Sequence, residues 1–173
     1  MQLVQTANQV VILYYRDHQV RHVRMNRSHP AQLTPSWQGD SVGHYEGDTL
    51  VIDTVGIKVG PYAMVDSYGT PHTEALHVVE RYRLLDYEAA KEGMERDARE
   101  NQVAQGTRDT SNRGKYLQLQ FTVEDKGAFT MPWSATITYG RPLVEWAEHV
   151  CAENTQWFPG QEAAIPTAAK PDF

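Results

Sequence analysis

The chain has few of the features that would fix its class at once. A single cysteine, Cys151, stands among 173 residues, which excludes an internal disulfide and any metal site built from several cysteines. No apolar run approaches the ~20 residues of a membrane-spanning helix, and the start of the chain has no signal-peptide layout. We therefore predict a soluble, cytoplasmic protein without a membrane partner. Because Met1–Thr6 already has the composition of a strand, export of a longer precursor stays an open alternative.

Lys and Arg are also scarce: 16 of them stand against 22 Asp and Glu, which gives a formal charge of -6. Phosphate binding needs clustered Lys and Arg, so nucleic acid is excluded as the main partner. Hydrophobic residues make up 40% of the chain and aromatic residues 10%, which suffices for a core at this length. We predict one globular domain, and we leave a homodimer open because symmetric dimers are common.

Short strand patterns follow one another through most of the sequence. Runs rich in Val, Ile, Leu, Thr and Tyr, separated by residues typical of turns, predict eight or nine strands. They are Met1–Thr6, Gln9–Arg16, Gln19–Met25, Ser41–Glu46, Thr49–Val55, Glu74–Leu85, Lys115–Glu124, Trp133–Gly140 and Leu143–Cys151. A single helix is predicted over Tyr87–Val103, where helix-forming residues dominate and Asp86 can cap the first turn. Its apolar positions are sparse, so we expect it to lie on the surface.

This pattern predicts a mainly β fold, an antiparallel lipocalin-like β-barrel with one inserted surface helix. Strands of this number can close around one small ligand, so we expect the barrel to have a lumen. A single barrel domain is predicted for residues 1–153, with the helical insertion at about 87–105 and an extended tail at 154–173. The tail is rich in Pro, Ala and Gln, which is typical of a segment that frays.

Three acidic residues interrupt the alternation expected of half-buried strands. In such a strand every second residue is apolar, yet Asp53, Glu80 and Glu148 occupy apolar positions in three predicted strands. Burying an unpaired carboxylate costs several kcal/mol, so each must be paired, hydrogen-bonded, protonated or facing a wet cavity. We expect the three carboxylates to converge on one enclosed, largely apolar hollow.

Carboxylates in such a hollow have a structural and a functional interpretation. In the structural one, each pairs with an arginine, such as Arg16, Arg24 or Arg81, and fastens the sheet. In the functional one, the apolar environment raises the carboxyl pKa, and the group serves as a general acid or base. We carry the functional interpretation forward, because proton chemistry gives an enclosed polar cluster a reason to exist.

The leading hypothesis is a small, cofactor-free enzyme of the lyase or isomerase kind. Its substrate would be a small apolar or aromatic molecule in the barrel lumen, where Glu80, Asp53 and His77 transfer protons. Tyrosine hydroxyls and guanidinium groups can orient such a substrate or stabilise developing negative charge. The predicted substrate-binding residues are Tyr14, Arg81, His44, Trp133, Trp146 and Glu148.

Two other functions stay open. A non-catalytic carrier or sensor would hold a small hydrophobic ligand in the same lumen. A metal-dependent enzyme would use His44, His72 or His77, because neutral imidazoles beside a carboxylate suit zinc, iron or copper. The metal signal is weak, since the chain has neither a His-x-His pair followed by Glu nor a His-Glu-x-x-His motif.

Two sequence blocks carry a family resemblance. Residues 37–54 read WQGDSVGHYEGDTLVIDT, and residues 71–81 read PHTEALHVVER. Together with the opening segment 5–14, they resemble a family of bacterial proteins of uncharacterised function, over roughly residues 1–86 and 115–154. The resemblance implies that the polar signature positions of the family are matched by His44, Glu46, Asp48, Asp53, His72, Glu74, His77, Glu80 and Arg81.

The chain departs from the family pattern in two ways, and the resemblance implies no particular activity. Family members carry a segment upstream of the matched region, often after an export signal. The helical stretch over residues 87–114 is also longer than the short turn that the family has there. A shared ligand or a shared oligomeric state therefore does not follow from the resemblance.

Overall fold

The computed structural model describes residues 1–14, 19–66, 68–100, 109 and 111–141. The strands and the helix in this part of the chain are β1 (Gln2–Gln5), β2 (Gln9–Leu13), β3 (Val20–Met25), β4 (Asp40–Glu46), β5 (Thr49–Val55), β6 (His77–Leu85), α1 (Tyr87–Glu100), β7 (Tyr116–Glu124) and β8 (Trp133–Tyr139). The first eight predicted strands and the predicted helix are all present, with ends that differ by a few residues at most. The predicted ninth strand, Leu143–Cys151, and the predicted tail at 154–173 lie outside the described residues.

The strands form one sheet in which spatial order follows sequence order, and the sheet curls into a half-barrel. The predicted mainly β fold with one helix is confirmed, and it is consistent with a lipocalin-like barrel. One pairing departs from the expected antiparallel pattern: β3 and β4 are parallel, with Val23 beside Ser41. The connection between them, residues 26–39, is long enough for the crossover that a parallel pair requires.

One face of the sheet carries the core. Side chains alternate along a strand, and residues paired across neighbouring strands point to the same side of the sheet. We call the side that carries the core the inner face. Ile12, Val23 and Ile52 lie there and are fully buried. The other buried members of the core cluster are Val10, Met25, Leu50, Tyr82 and Leu119. We call the opposite side the outer face; it carries the residues one position away along each strand.

The turn between β4 and β5 depends on a glycine. Glu46 pairs with Thr49, which leaves only Gly47 and Asp48 to reverse the chain. Gly47 has a φ of 62°, a left-handed conformation that glycine adopts without the steric cost of a Cβ atom. This tight hairpin fixes the register of β4 against β5.

The helix α1 packs against the outer face with its narrow apolar side. Ala90 is fully buried in a small cluster with Leu85 and Tyr116. Further along the helix, the Asp97 carboxylate accepts a hydrogen bond from the backbone N–H of Thr138 at 3.1 Å. In the described part of the chain, no helix has both the length and the apolar composition needed to span a membrane.

Asp125 ties the loop before β6 to the end of β7. Its buried carboxylate accepts hydrogen bonds from the backbone N–H and the hydroxyl of Thr73, both at 2.6 Å, and from the N–H of Gly127 at 2.9 Å. Burial by itself raises the pKa of this carboxyl, but the hydrogen bonds favour the charged form and leave the pKa lowered. The chain entering β6 is thereby held against β7.

Replacing Gly93 tests the packing of α1 on the sheet. A Cβ atom at Gly93 would lie 2.5 Å from Thr138 Oγ1, so we expect Gly93→Ala to destabilise the fold by about 1–3 kcal/mol, as overpacking does. Lys91→Ala, at an exposed position of the same helix, is the control and should change stability little. Urea unfolding measures both variants, and equal stabilities would contradict the close contact between α1 and β8.

The lowered pKa of Asp125 predicts an acid dependence of stability. The folded-state pKa is below the unfolded value of about 3.9, so Asp125 stabilises the fold above that pH. This stabilisation is lost as the pH falls through the folded-state pKa. We therefore expect Asp125→Asn to be less stable than the wild type near neutral pH, with the difference shrinking below about pH 4. Urea unfolding across the acid range measures the difference, and a constant value would contradict the role of the charged form.

Candidate functional site

The register of β5 and β6 separates two of the carboxylates predicted to converge. Glu80 pairs with Ile52 on the inner face, whereas Asp53 pairs with Val79 on the outer face. The two carboxylates therefore lie on opposite sides of the sheet, and the expectation that they share a hollow is wrong. Glu148 lies outside the described residues. In β5 the even-numbered and the odd-numbered positions both carry apolar residues. The sequence alone therefore did not show which of the two faces the core.

Glu80 is held in a buried ion pair on the inner face. Its Oε2 accepts a hydrogen bond from Arg21 Nη2 at 2.7 Å, and its Oε1 accepts one from the Tyr82 hydroxyl at 2.8 Å. The side chains of Arg21 and Glu80 are only 11% and 9% exposed. This geometry matches the structural interpretation of a buried acid, but the partner is Arg21, which the sequence analysis did not propose.

The ion pair shifts the pKa values of its neighbours. Burial raises the pKa of the Tyr14 hydroxyl, and the Glu80 charge adds to this increase while the Arg21 charge opposes it. Burial and the Glu80 charge also raise the pKa of Tyr82. Burial lowers the pKa of the Arg21 guanidinium, but Glu80, together with Tyr14 and Tyr82, outweighs this effect and leaves the pKa raised. Both tyrosines therefore keep their hydroxyl protons at neutral pH.

Five side chains on the outer face form a continuous hydrogen-bonded chain, which we call the outer-face network: Arg24, His29, Asp40, Asp53 and His77. Arg24 Nη2 donates to both carboxylate oxygens of Asp40, at 2.7 and 2.8 Å. The His29 ring bridges the two acids, with Nδ1 2.6 Å from Asp40 Oδ1 and Nε2 3.0 Å from Asp53 Oδ1. His77 Nε2 lies 3.1 Å from each carboxylate oxygen of Asp53.

The bridging position of His29 constrains the charges of the network. An ionised carboxylate only accepts hydrogen bonds, so both contacts of His29 are hydrogen bonds together only when both ring nitrogens carry a proton. In that state the cations Arg24 and His29 balance the anions Asp40 and Asp53. His77 contacts the network through Asp53 alone.

His77 is also the member with a ring nitrogen available to another molecule. Asp53 binds its Nε2 and fixes the orientation of the ring, as a carboxylate does for the imidazole of a catalytic triad. No hydrogen bond involves its Nδ1 within the ranges that the structure describes, and the side chain is 36% exposed. With a hydrogen on Nε2, the Nδ1 atom carries the lone pair and can accept a proton.

The outer-face network lies where two long connections meet the sheet. Asp40 begins β4 and His77 begins β6, and residues 26–39 and 56–76 lead into these strands. The side chains of the network are between 24% and 42% exposed, so a molecule in solution can reach them. Long ordered loops often act as binding loops. The position is therefore typical of a site that is open to a small molecule.

Of the aromatic residues predicted to bind substrate, two lie on the inner face and one lies outside the described part of the chain. Tyr14 packs against the core cluster. Trp133 packs edge-on against Phe121 and Phe129, with ring centroids 5.8 and 5.9 Å apart. Trp146 lies outside the described residues. Neither Tyr14 nor Trp133 is on the face that carries the outer-face network.

Arg81 and His44 form a separate cluster on the outer face. Arg81 Nη1 donates to Glu46 Oε2 at 2.7 Å, and His44 Nε2 lies 3.2 Å from Glu46 Oε1. These hydrogen bonds, with that from Arg81 the stronger, hold the pKa of the Glu46 carboxyl below its ordinary value. The cluster is exposed, so we expect it to add little to stability.

The histidines considered for a metal site have other partners. His72 is buried, with Nδ1 3.2 Å from the carbonyl oxygen of Thr73, while His44 and His77 each contact a carboxylate. Among the residues that the structure describes, no group of three or more His, Cys, Asp or Glu could hold a metal ion. The metal hypothesis gains no support from this part of the chain.

Four residues of the buried Glu80 ion pair and of the outer-face network were not predicted as site residues from the sequence: Arg21, Tyr82, His29 and Asp40. Arg21 carried the same signal as Glu80, because it alternates with Val23 and Met25 on the core side of its strand. His29 lies in a loop and Asp40 begins a strand, so neither breaks a periodic pattern. No sequence signal available in a single chain identifies them.

Comparisons with known proteins assign neither a family nor a function to the chain. The chain matches no protein-family model, no curated protein and no solved structure. The Arg21–Glu80 pair and the outer-face network are therefore the features of the molecule from which a function can be inferred.

Removing one member of the buried ion pair should be far more costly than removing both. Glu80→Leu leaves the Arg21 charge buried without its partner, so we expect a loss of about 3–5 kcal/mol in the free energy of unfolding. Combining Glu80→Leu with Arg21→Met should recover most of this loss, because no buried charge remains. The exposed Arg81–Glu46 pair is the matched control, and its single substitutions should change stability little. Urea unfolding of the single and double variants measures the coupling, and additive losses would contradict it.

Proposed function

We propose that the protein is a small acid–base enzyme whose proton-transfer group is His77, oriented by Asp53 on the outer face. The observation that carries this proposal is the position of His77 Nε2, 3.1 Å from each carboxylate oxygen of Asp53. A carboxylate so placed orients an imidazole and stabilises the imidazolium that forms when the ring takes a proton. The proposal retains Asp53 and His77 from the three predicted proton-transfer residues and keeps a lyase or isomerase as the reaction class.

The reaction that suits one oriented imidazole is removal of a proton from the carbon next to a carbonyl group. His77 Nδ1 takes the proton, and the electron pair of the broken C–H bond moves into the enolate. In a substrate with a C=C bond conjugated to the enolate, return of the proton to the far carbon of that system gives isomerisation, whereas departure of a leaving group with its electron pair from the neighbouring carbon gives elimination. Neither outcome needs an oxidant or a reductant, and small apolar or aromatic carbonyl compounds are the substrate class that we propose.

The remaining members of the outer-face network act as positioning residues. His29 Nε2 binds Asp53 Oδ1, one of the two oxygens that contact His77, and thereby limits rotation of the carboxylate. Asp40 holds the other nitrogen of the His29 ring, and Arg24 holds Asp40. The network thus connects the proton-transfer group to three strands and to the loop at 26–39, which favours a preorganised site.

Glu80 has no part in the proposed reaction. Both of its carboxylate oxygens already accept hydrogen bonds, one from Arg21 and one from Tyr82. Its burial with Arg21 supports a structural role on the inner face. This is why the proposal moves the chemistry from the lumen expected from the sequence to the outer face.

Hydrogen exchange at carbon tests the proposal without knowledge of the natural substrate. In D2O, the wild type should accelerate replacement of the protons next to the carbonyl of 1-phenyl-2-propanone, as followed by proton NMR. His77→Gln should reduce the exchange to the buffer rate, because the base is gone. Asp53→Asn should reduce it about 100-fold or more, because the ring loses its orientation and its countercharge.

His22→Gln is the matched control for these variants. His22 is an exposed histidine of β3 that contacts Gln9 and lies outside the outer-face network, so its loss should leave the exchange rate unchanged. Equal exchange by the wild type and His77→Gln would contradict the proposal. Exchange at the buffer rate by the wild type, for 1-phenyl-2-propanone and a panel of related aryl ketones, would contradict it as well.

A further inference from the structure

We infer that the inner face carries a second binding site, separate from the outer-face network, for an uncharged and largely apolar molecule with one carbonyl oxygen. Arg21 Nε and the Tyr14 hydroxyl would donate hydrogen bonds to that oxygen. The inference rests on an unsatisfied cationic donor inside an apolar face, and it does not depend on the proposed reaction at His77.

The first observation is the unpartnered nitrogen of Arg21. Its Nη2 binds Glu80, but its Nε is buried and has no hydrogen-bond partner among the described residues. Nearly all buried polar groups in folded proteins are hydrogen-bonded, and an exception on a charged group is costly. A guanidinium N–H in this position therefore favours an acceptor that is not part of the described chain.

Tyr14 supplies a second donor on the same face, where its side chain packs against the core cluster. Burial raises the pKa of its hydroxyl, and the charges of Arg21 and Glu80 also affect that pKa. The hydroxyl therefore stays protonated at neutral pH and can donate. No protein acceptor for it occurs within the described ranges of the chain. Two donors on one apolar face suit a carbonyl oxygen, which has two lone pairs.

The charge balance of the cluster selects an uncharged ligand. The Arg21 cation is already neutralised by the Glu80 anion at 2.7 Å, and the second Glu80 oxygen is occupied by Tyr82. A carboxylate or phosphate ligand would add an anion with no compensating charge in a buried environment, which is unfavourable. A ketone, an amide or an ester oxygen satisfies the free donors without that cost.

The surroundings of the pair favour an apolar body for the ligand. The side chains packed against the core cluster are only partly buried, and they belong to the same face as Arg21; they are Met1, Leu3, Tyr14, Leu117, Phe121 and Tyr139. Binding sites for small molecules are commonly apolar with a few placed polar groups. Aromatic and aliphatic contacts beside two donors match that description.

Benzophenone and its carbonyl-free analogue diphenylmethane provide the test. Equilibrium dialysis should give a wild-type affinity for benzophenone about 10-fold or more above that for diphenylmethane, because only the ketone accepts hydrogen bonds. Diphenylacetate, the anionic probe, should bind more weakly than benzophenone. Tyr14→Phe should reduce the preference for the ketone about 3-fold or more while affinity for diphenylmethane stays the same.

Arg21 itself is a poor variant, because its loss leaves Glu80 unpaired in the core, so Tyr116→Phe serves as the control substitution. The Tyr116 hydroxyl donates to the Asn112 carbonyl oxygen beneath α1, away from the inner-face pair, and the variant should bind all probes as the wild type does. Irradiation of bound benzophenone locates the site, because the excited ketone inserts into nearby C–H bonds. Labelled peptides should come from the inner-face strands.

Several results would overturn the inference. Equal affinity for benzophenone and diphenylmethane would show that the donors are not used, and no binding of either would show that no apolar site exists. Tighter binding of diphenylacetate would contradict the charge argument. Labelling confined to the exposed loop at 56–66 would place the ligand elsewhere. His77→Gln should leave the labelling of the inner-face strands by benzophenone unchanged, which separates this inference from the reaction proposed for the outer face.

Discussion

The alternation of side chains across one curled sheet is the constraint on which the rest of this structure depends. Neighbouring residues of a strand face opposite environments, so the paired positions Asp53–Val79 and Ile52–Glu80 place two acids on opposite sides of the sheet. The acid on the core side is buried and paired with Arg21. The acid on the other side is partly exposed and bound by two histidines. A register slip of one residue would exchange these environments and destroy both clusters.

The Arg21–Glu80 ion pair of the inner face and the outer-face network use charge differently. Glu80 receives one hydrogen bond on each oxygen, from Arg21 and Tyr82, and these two bonds fix its position. The outer-face network ends instead on His77, whose second ring nitrogen has no partner in the described part of the chain. A buried ion pair of this kind fixes one arrangement of strands, whereas a partly exposed histidine can exchange protons with a bound molecule. The same fold thus places a buried ion pair on one face and a partly exposed charged network on the other.

Local sequence patterns were sufficient to predict the secondary structure, but they were insufficient to predict which side of the sheet each strand residue faces. Strand composition, turn residues and the helical stretch predicted eight described strands and α1 close to their observed ends. The face of β5 was misassigned because Val51 and Ile52 are both buried, the first on the outer face and the second in the core. Asp53 and His77 were predicted as functional and do lie together. Their partner His29 comes from a loop, and its position depends on tertiary contacts that no periodic pattern records.

The lengths of the connections between strands have a consequence for how the molecule is assembled. Only a few residues join β1 to β2 and β4 to β5, whereas longer segments join β3 to β4 (26–39), β5 to β6 (56–76) and β6 to β7 (86–115). Pairings across short connections close early in folding, because little chain entropy is lost. Arg24 and Asp40 are on opposite sides of the 26–39 connection, and Asp53 and His77 are on opposite sides of the 56–76 connection. Refolding molecules would therefore regain the tight hairpins before the histidine–carboxylate chain of the outer face is complete.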